Sequence, residues 1–595
     1  MLPSEHMRRL LIGFFAAIGV LAVLALIAVI VLVLRFVPSK PELPGKIILA
    51  VDLTQGLDDA AGQSGLHRLL GGSRPRLRDF LDAVEAAGTD PRVKGLVARI
   101  GPDAFGLAET QQIRDAIATF RARGKFAIAF ADSFGEFGGG TRPYYLATAF
   151  GRIWLQPMGS VGLTGLYADA TFLRGTLDLL GVAAEFDHRG QYKTAANILS
   201  ETQMTPAGRE QAEDLLTSLG GQIVNGIATG RGLTPQDVRG LIDRGPLLAG
   251  EAIEAKLVDR IGYRDEAAAA ARKRAGAGAR IVPLATYLDG IKRPNRAGQR
   301  IALIYGSGLI VSGGGSADLL AGSDEMAADR ISRTFRAAVR DPKVRAILFR
   351  IDSPGGSVVG SETIWRDVAE ARGHGKPVIV SMGNVAGSGG YYIAAPADKI
   401  VAEPATLTGS IGVLAGKLVV AGLLKKIGVS TDAVGFGANA AMSSATSPFS
   451  PFARARLEAF LDATYQGFKN HVAAGRHMTP DAVEQVAQGR VWTGEEAKAH
   501  GLVDALGGYT TALRLARQAA GIAPGAPIQL TVFPRPEGPF EFLYKRLAGE
   551  PTQSDGIDIT GLGRAAAAVE PLLRRIEAAL GTPGVLTMPP LGEPR

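Results

Sequence analysis

The sequence predicts an α/β protein with two tandem units, each built on a parallel sheet, preceded by one transmembrane helix. Three observations lead to this prediction. Short apolar strands alternate with helical segments over most of the chain, which is typical of parallel α/β folds. Three segments recur in the same order about 250 residues apart. An apolar stretch without charge lies near the N-terminus.

Composition limits the possible functions. The chain has 595 residues, enough for several domains, and 46% of them are hydrophobic. The net charge of +8 is dispersed, without basic blocks that alternate with aromatic residues, so we expect no nucleic-acid partner. The absence of cysteine excludes disulfides and thiol catalysis. No His-Glu-x-x-His or similar ligand spacing occurs, and we expect neither a metal ion nor another cofactor.

The N-terminal segment is typical of a membrane anchor. Residues 10–34 carry no charge and are long enough to cross a bilayer with some tilt. Two arginines precede them, and no small-x-small cleavage pattern follows. We therefore predict a cytoplasmic tail at 1–9 and an uncleaved anchor at 10–34 in contact with membrane lipid. Arg35 and Lys40 on the far side weaken the charge asymmetry that sets the orientation.

Matched segments indicate an internal duplication. The matches pair Asp90-Pro-Arg-Val with Asp341-Pro-Lys-Val, Tyr144-Tyr with Tyr391-Tyr, and Leu233-Thr-Pro with Met478-Thr-Pro. We place a first unit at 46–288 and a second unit at 300–532. A polar linker joins them, and 533–595 form a C-terminal tail.

The second unit contains the candidate nucleophile. It is predicted to form strands at 345–352 and 377–382, with a helix at 359–372 between them and a short helix that begins at Ser388. Glycine-rich turns follow both strands, at the sheet edge where open α/β sheets bind ligands. A hydroxyl at the start of a helix also lies in the positive end of the helix dipole. Ser388 is therefore our candidate nucleophile.

The two units differ at the residues that the chemistry needs. The first unit has Thr141 at the position of Ser388, but it keeps Lys193 where the second unit has Ala440. A serine hydroxyl needs an adjacent base, and a lysine desolvated by small and apolar neighbours can serve. We therefore predict a Ser-Lys pair that is divided between the units, which is one variant of triad chemistry.

A reacting carbonyl also needs backbone N–H donors for its oxyanion. Glycine allows a substrate to come close, and the candidate donors are Gly355, Gly356 and Gly389. The residues alone leave other assignments of the nucleophile and the base open. The other possible nucleophiles are Ser353 and Ser357, and the other possible bases are His188 and His374.

Four motifs resemble those of the signal peptide peptidase A family in its long, duplicated form. They are Asp352-Ser-Pro-Gly-Gly-Ser, Ala386-Gly-Ser-Gly-Gly-Tyr, Thr408-Gly-Ser-Ile-Gly-Val and Gly190-Gln-Tyr-Lys-Thr-Ala. The resemblance covers nearly all of 46–532 and the N-terminal anchor. It implies two ClpP/crotonase-like repeats, with Ser388 as the nucleophile, Lys193 as the general base, and the 355–356 glycines beside the oxyanion. Gly387 and Gln191 differ from the residues that are common in the family, but neither change removes a reactive group.

The resemblance also implies a function and a location. It implies a serine endopeptidase that degrades cleaved signal peptides and other apolar peptides, anchored in the bacterial inner membrane with its catalytic body on the periplasmic or extracytoplasmic side. It further implies a homo-oligomer, a tetramer in the long forms. Two alternatives are a crotonase-type acyl-CoA enzyme, which would not need Lys193, and a non-catalytic membrane-anchored scaffold, which gives no reason to retain both Ser388 and Lys193.

Overall fold

The structure is a computed structural model, and it describes residues 41–59, 75–102, 104–136, 138–314, 325–534 and, as backbone only, 585–587. The predicted tail at 1–9, the predicted anchor at 10–34 and most of the predicted C-terminal tail at 533–595 lie outside these ranges. Among the residues that are described, no helix combines the length and apolarity that crossing a membrane requires.

The first unit is built around a parallel sheet. Its strands are β1 (Ile47–Leu53), β2 (Val93–Ile100), β3 (Phe126–Ala131), β4 (Arg152–Leu155), β5 (Ser160–Val161), β6 (Ala183–Arg189), β7 (Leu247–Leu248), β8 (Arg260–Ile261) and β9 (Arg280–Pro283). Its helices are α1 (Leu77–Thr89), α2 (Leu107–Ala122), α3 (Thr141–Ala147), α4 (Arg174–Leu180), α5 (Asn197–Ser200), α6 (Pro206–Arg231), α7 (Pro235–Arg244), α8 (Ala249–Glu254), α9 (Arg264–Ala275) and α10 (Leu284–Gly290). The sheet order is β8-β4-β3-β2-β1-β9, and every pairing in it is parallel.

The second unit repeats this plan. Its strands are β10 (Gln299–Ser307), β11 (Leu309–Val311), β12 (Glu325–Ala327), β13 (Val344–Ser353), β14 (Gly355–Ser357), β15 (Val378–Gly387), β16 (Lys399–Ala402), β17 (Leu407–Gly409), β18 (Val413–Val419), β19 (Val491–Thr493), β20 (Ala505–Leu506) and β21 (Ile528–Phe533). Its helices are α11 (Ala328–Arg340), α12 (Val358–Gly373), α13 (Gly389–Ala394), α14 (Ala421–Lys426), α15 (Pro451–Arg476), α16 (Pro480–Val486), α17 (Gly494–Ala499) and α18 (Tyr509–Ala519). The sheet order is β19-β17-β15-β13-β10-β21, and β16 also pairs with β15 and carries β20 on its other side.

Burial on both faces explains the sequences of the central strands. All six residues of β3, Phe-Ala-Ile-Ala-Phe-Ala, are buried, and most residues of β13 and β15 are buried too. Parallel strands covered by helices on both sides read as continuous apolar runs rather than as alternating ones. The predicted α/β class with parallel sheets is confirmed.

Corresponding contacts recur in the two units. The Tyr144 hydroxyl donates to the Leu257 carbonyl at 2.7 Å, and the matched Tyr391 hydroxyl donates to the Leu502 carbonyl at 2.9 Å. Helices α6 and α15 both have 26 residues. Each ends in an arginine that forms an ion pair with an aspartate, at 3.0 Å in the first unit and 2.9 Å in the second. The matched sequence segments therefore have matched local structures.

One prediction about the second unit was wrong. The strand predicted to end at 382 continues as β15 to Gly387, through a stretch that the sequence indicated as a glycine-rich turn. The first part of β15 pairs with β16, and the extension forms because residues 385–387 pair in parallel with a different strand, β17. The Thr408 hydroxyl supports this junction by donating to the Ala386 carbonyl at 2.7 Å.

A third sheet connects the two units. Its order is β12-β11-β14-β22-β18-β6, where β22 is Val585–Thr587. Strand β6 comes from the first unit, and it pairs antiparallel with β18 of the second unit along its whole length. The residues that follow β6 are therefore delivered to the second unit, close to the carboxyl end of β15.

Candidate active site

Ser388 lies between β15 and α13 in a strained conformation. Its φ of 54° and ψ of −115° fall where non-glycine residues are rare. Its N–H donates to the Gly409 carbonyl and its carbonyl accepts from the Tyr392 N–H, both at 2.8 Å. Its side chain is fully buried and does not cap the helix that it precedes. The hydroxyl is therefore available for another partner.

Lys193 reaches this hydroxyl from the first unit. Its Nζ lies 2.7 Å from Ser388 Oγ, although the two residues are 195 positions apart. The lysine follows β6, and the pairing of β6 with β18 places it here. Like Ser388, it has no exposed surface. The structure thus brings together the two residues that the sequence singled out.

Burial sets the protonation of the lysine. Desolvation lowers the pKa of Lys193 well below its ordinary value of 10.5. Nζ also lies 2.9 Å from the carbonyl oxygen of Ser410 and 3.0 Å from its hydroxyl. A neutral amine has two N–H donors and one lone pair, so both donors can be used on Ser410 while the lone pair faces Ser388. This arrangement suits a base that accepts a proton from the Ser388 hydroxyl.

Ser410 is a residue of the candidate site that the sequence did not single out. It is fully buried, and its φ of 50° is also unusual for a non-glycine residue. The available signal was the motif Thr408-Gly-Ser-Ile-Gly-Val, which we used for the resemblance without assigning the serine a contact. Backbone strain at Ser388 and at Ser410, on both sides of one amine, indicates a preorganised site.

The three candidate oxyanion glycines lie together beside Ser388. A Cβ added to Gly389 would lie 3.2 Å from both Gly355 Cα and Gly356 N. At Gly356, where φ is +150°, an added Cβ would fall 2.1 Å from the Ile310 carbonyl oxygen, so only glycine fits. The Gly355 N–H already donates to Ser353 Oγ at 3.1 Å. Gly389 opens α13, and the first N–H groups of a helix have no partner within it. Of the three, Gly389 has the N–H that the fold leaves without a partner in its own helix.

The alternative serines have other roles. Ser353 Oγ donates to the Gly308 carbonyl at 2.7 Å and accepts the Gly355 N–H at 3.1 Å. Ser357 caps α12, where its side chain accepts the Gly360 N–H at 3.2 Å. Thr141, which matches Ser388 in the first unit, donates to the Gly165 carbonyl at 3.0 Å. Each hydroxyl is thus bonded to the backbone of its own unit.

The alternative histidines lie on the surface. The rings of His188 and His374 are exposed, and each Nδ1 contacts a carbonyl close to it in sequence, at 3.0 Å and 2.9 Å. Neither ring shares a hydrogen bond with Ser388, whose side-chain partner is Lys193. Across the described ranges, no group of three or more His, Asp or Glu side chains is arranged to hold a metal ion.

A half-buried carboxylate fixes the glycine-rich turn to the strand that leads to Ser388. The Asp352 carboxylate accepts the Asn384 and Val385 N–H groups at 3.2 Å and 3.1 Å. Burial, and then the charge of Asp59, raise the pKa of Asp352 to about 6, while Arg350 opposes the shift. Arg350 also forms an ion pair at 2.7 Å with Asp59 of the first unit, so these charged groups connect both units.

Comparison with known proteins shows the family of the chain. The model of peptidase family S49 matches 120–278 and 370–523, together more than half of the chain. The chain is 34% identical to "Protease 4" of Salmonella typhi over 76% of its own length and 74% of that protein, and 30% identical to "Protease 4" of Haemophilus influenzae over 77% and 75%. It is 32% identical to "Serine protease SPPA, chloroplastic" of Arabidopsis thaliana over 76% of its length and 66% of that protein.

The chain belongs to peptidase family S49, and within it to the long form of signal peptide peptidase A, as the motifs predicted. It is therefore a serine endopeptidase, rather than an acyl-CoA enzyme or a non-catalytic scaffold. The family matches fall once in each unit, and the second match contains Ser388 while the first contains Lys193.

Proposed function

We propose that this endopeptidase works through a Ser388–Lys193 dyad whose two members come from different tandem repeats. The observation that carries the proposal is the 2.7 Å contact between a fully buried lysine amine and a strained, fully buried serine hydroxyl. A serine hydroxyl is a weak nucleophile without a base. Burial lowers the pKa of Lys193 well below 10.5, so its amine gives up its proton more readily than an exposed lysine and can be that base.

The dyad would act in two half-reactions. Ser388 Oγ forms a bond to the scissile carbonyl carbon while Lys193 Nζ accepts the hydroxyl proton. The carbonyl electron pair moves onto oxygen, where the N–H groups of Gly356 and Gly389 stabilise it. When the tetrahedral intermediate collapses, the C–N bond breaks and Lys193 returns the proton to the leaving amine. A water molecule then attacks the Ser388 ester while Lys193 Nζ accepts its proton. When this second intermediate collapses, the C–O bond to Ser388 breaks and Lys193 returns the proton to Ser388 Oγ.

We propose that the substrate binds as an extended strand along β14. The backbone of β22 supports this, since it pairs antiparallel with Gly355–Ser357 and contacts β18 on its other side through the Leu414–Val585 pair. An edge that accepts one segment of backbone can accept a peptide by strand addition. The resemblance to signal peptide peptidases favours cleaved signal peptides and other apolar peptides as substrates.

The nucleophile of the dyad is tested with two matched substitutions. Ser388→Ala and Thr141→Ala remove hydroxyls at equivalent positions of the two units. A fluorophosphonate, which labels activated serines, should label the native chain and Thr141→Ala but not Ser388→Ala. Peptide hydrolysis should follow the same order. Full labelling of Ser388→Ala would place the nucleophile elsewhere.

We further propose that residues 10–34 anchor the chain in the bacterial inner membrane, with the catalytic body on the periplasmic side. The charge-free length of this segment is the supporting observation. The full chain should stay in the membrane fraction after a carbonate wash, and a variant without 1–40 should be released. A protease added to spheroplasts should digest the body. Protection of the body would reverse the orientation.

We also propose a homo-oligomer, as the tetramer of long forms implies. The second unit exposes large apolar side chains at Val434, Phe436 and Phe452, and such surfaces are often interfaces. Light scattering of the purified full chain should give a particle whose protein mass equals that of four chains. A Phe436→Asp variant should lower this mass, whereas Lys343→Asp, at an exposed polar position, should not.

A further inference from the structure

Arg490 of the second unit contacts the groups on both sides of Lys193. It lies between α16 and β19, and its main chain and its side chain reach different partners. We propose that Arg490 is a positioning residue that holds the Lys193 turn of the first unit against the second unit, so that the amine stays on Ser388. This inference rests on the proposed dyad.

The main chain of Arg490 supports one side of the amine. Its carbonyl accepts the Ser410 N–H at 2.7 Å. Both oxygens of Ser410, in turn, contact Lys193 Nζ. A shift of the Arg490 backbone would therefore move the two acceptors that orient the amine.

The side chain of Arg490 holds the other side. Its Nη1 donates to the Tyr192 hydroxyl and to Glu210 Oε1, both at 3.0 Å, and its Nη2 donates to Asp214. These three acceptors belong to the first unit, and Tyr192 directly precedes the lysine. The guanidinium also stacks on the Tyr192 ring, 4.7 Å from its centroid. An arginine fork with several acceptors fixes geometry better than a point charge does.

The backbone between these two attachments is tightly packed. The Tyr192 N–H donates to the Gln488 carbonyl at 2.9 Å. Gly489 has a φ of +77°, and an added Cβ would lie 2.6 Å from Lys193 N and 2.7 Å from Lys193 Cβ. The segment 488–490 thus forms the surface on which the lysine turn rests. Arg490 is its only side chain that carries a charge.

The effect on catalysis follows from geometry. Proton transfer requires the hydrogen-bond distance between Nζ and Oγ, and a displacement of about 1 Å can cost about 100-fold in rate. Arg490 is not placed at the strand edge where the substrate would bind. Its loss should therefore lower kcat and leave KM nearly unchanged.

The test compares Arg490→Gln with Arg490→Lys and with a control. Asp462→Asn is the control because it removes another ion pair between the units, the one between Asp462 and Arg189 of β6, and leaves the contacts of Arg490 in place. With a short chromogenic peptide and the full chain, we expect Arg490→Gln to lower kcat by about 10- to 100-fold, with KM within about twofold. Arg490→Lys should recover part of the loss, and Asp462→Asn should match the native chain.

Milder substitutions keep the test decisive if Arg490→Gln fails to fold. Tyr192→Phe and Glu210→Gln each weaken one contact of the guanidinium, and each should lower kcat in the same direction by a smaller factor. Unchanged kcat in these two variants, or a loss in Arg490→Gln that appears only in KM, would overturn the inference.

The two proposals fail in different ways. If Lys193→Ala keeps native activity, the dyad is wrong whatever Arg490 does. If Lys193→Ala is inactive while Arg490→Gln matches Asp462→Asn, the dyad stands and the positioning role of Arg490 is rejected.

Discussion

At the scale of single residues, the site depends on a lysine that is buried at a cost to stability. Lys193 has no exposed surface, and desolvation is the cause of its lowered pKa. In the unfolded chain the same amine is hydrated and has a pKa near 10.5. Between these two pKa values the unfolded chain binds a proton that the folded chain does not bind.

This difference gives a prediction about stability. By linkage, the free energy of unfolding rises with pH across that window, by up to about 1.4 kcal/mol per pH unit. Lys193→Met removes the titration, so the melting temperature of the variant minus that of the native chain should be most positive below the lowered pKa of Lys193 and should shrink as the pH rises towards 10.5. Lys343→Met, at an exposed lysine, serves as the control. A difference that does not change with pH would mean that Lys193 is not desolvated.

The same pKa shift predicts the pH dependence of activity. Only the neutral amine can accept the Ser388 proton, so kcat/KM should be low where Lys193 is protonated and should rise through its lowered pKa. Because the shift is downward, this rise should be complete well below pH 10.5. A rise centred near 10.5 would contradict a desolvated base.

Ser410 provides a prediction that separates hydrogen bonding from strain. Ser410→Ala and Ser410→Gly both remove the hydroxyl that lies 3.0 Å from Nζ, and both keep the carbonyl acceptor. Each should lower kcat by about 10-fold because the amine is less well oriented. Glycine adopts a φ of 50° without strain, whereas alanine does not. Ser410→Gly should therefore have a higher melting temperature than Ser410→Ala. A Ser410→Gly variant with native kcat would argue against the orienting role.

The sequence revealed some of these residues and not others. Comparison of the two units singled out Ser388 and Lys193 because each unit has lost what the other keeps. Comparison of the units did not single out Ser410 or Arg490. The role of Ser410 depends on the geometry of a turn, and that of Arg490 depends on a contact between the units. Local sequence patterns encode neither. The 2.7 Å distance within the dyad was likewise outside what the sequence could predict.

At the scale of elements, the pairing of β6 with β18 creates the site. The predicted strands 345–352 and 377–382 and the helix 359–372 lie within a few residues of β13, β15 and α12, except at the extended end of β15. Apolar runs identified them. The β6 sequence, Ala-Ala-Glu-Phe-Asp-His-Arg, is polar and mostly half-buried, so its partner in the other unit was not predictable from periodicity.

Strand β22 gives a prediction about the substrate edge. Its backbone pairs with the glycines of β14, where we propose that peptides bind. A chain that ends at residue 584 should therefore have a lower KM for peptide substrates, with kcat little changed. A chain that ends at 587 retains the strand and should behave like the native protein. Equal KM values for the two truncations would mean that β22 does not compete with substrate.

At the scale of the whole molecule, the two units contribute to one site. The matched segments allowed the duplication to be predicted, and corresponding contacts at Tyr144 and Tyr391 recur in the structure. Neither unit has both members of the proposed dyad. If the dyad acts as we propose, contacts between the units, such as Arg350 with Asp59 and Arg490 with Glu210, support catalysis as well as packing.

The most direct test of this account is peptide hydrolysis by Ser388→Ala, Lys193→Ala and the double variant. An unstructured apolar peptide is the substrate, and the melting temperature of each variant shows that the fold survives. Residues that act as one unit give non-additive losses, so each single substitution should reduce kcat/KM about as much as the double substitution. If Lys193→Ala retains native activity while Ser388→Ala has none, the chain is still a serine peptidase, but its base lies elsewhere and the divided dyad is wrong.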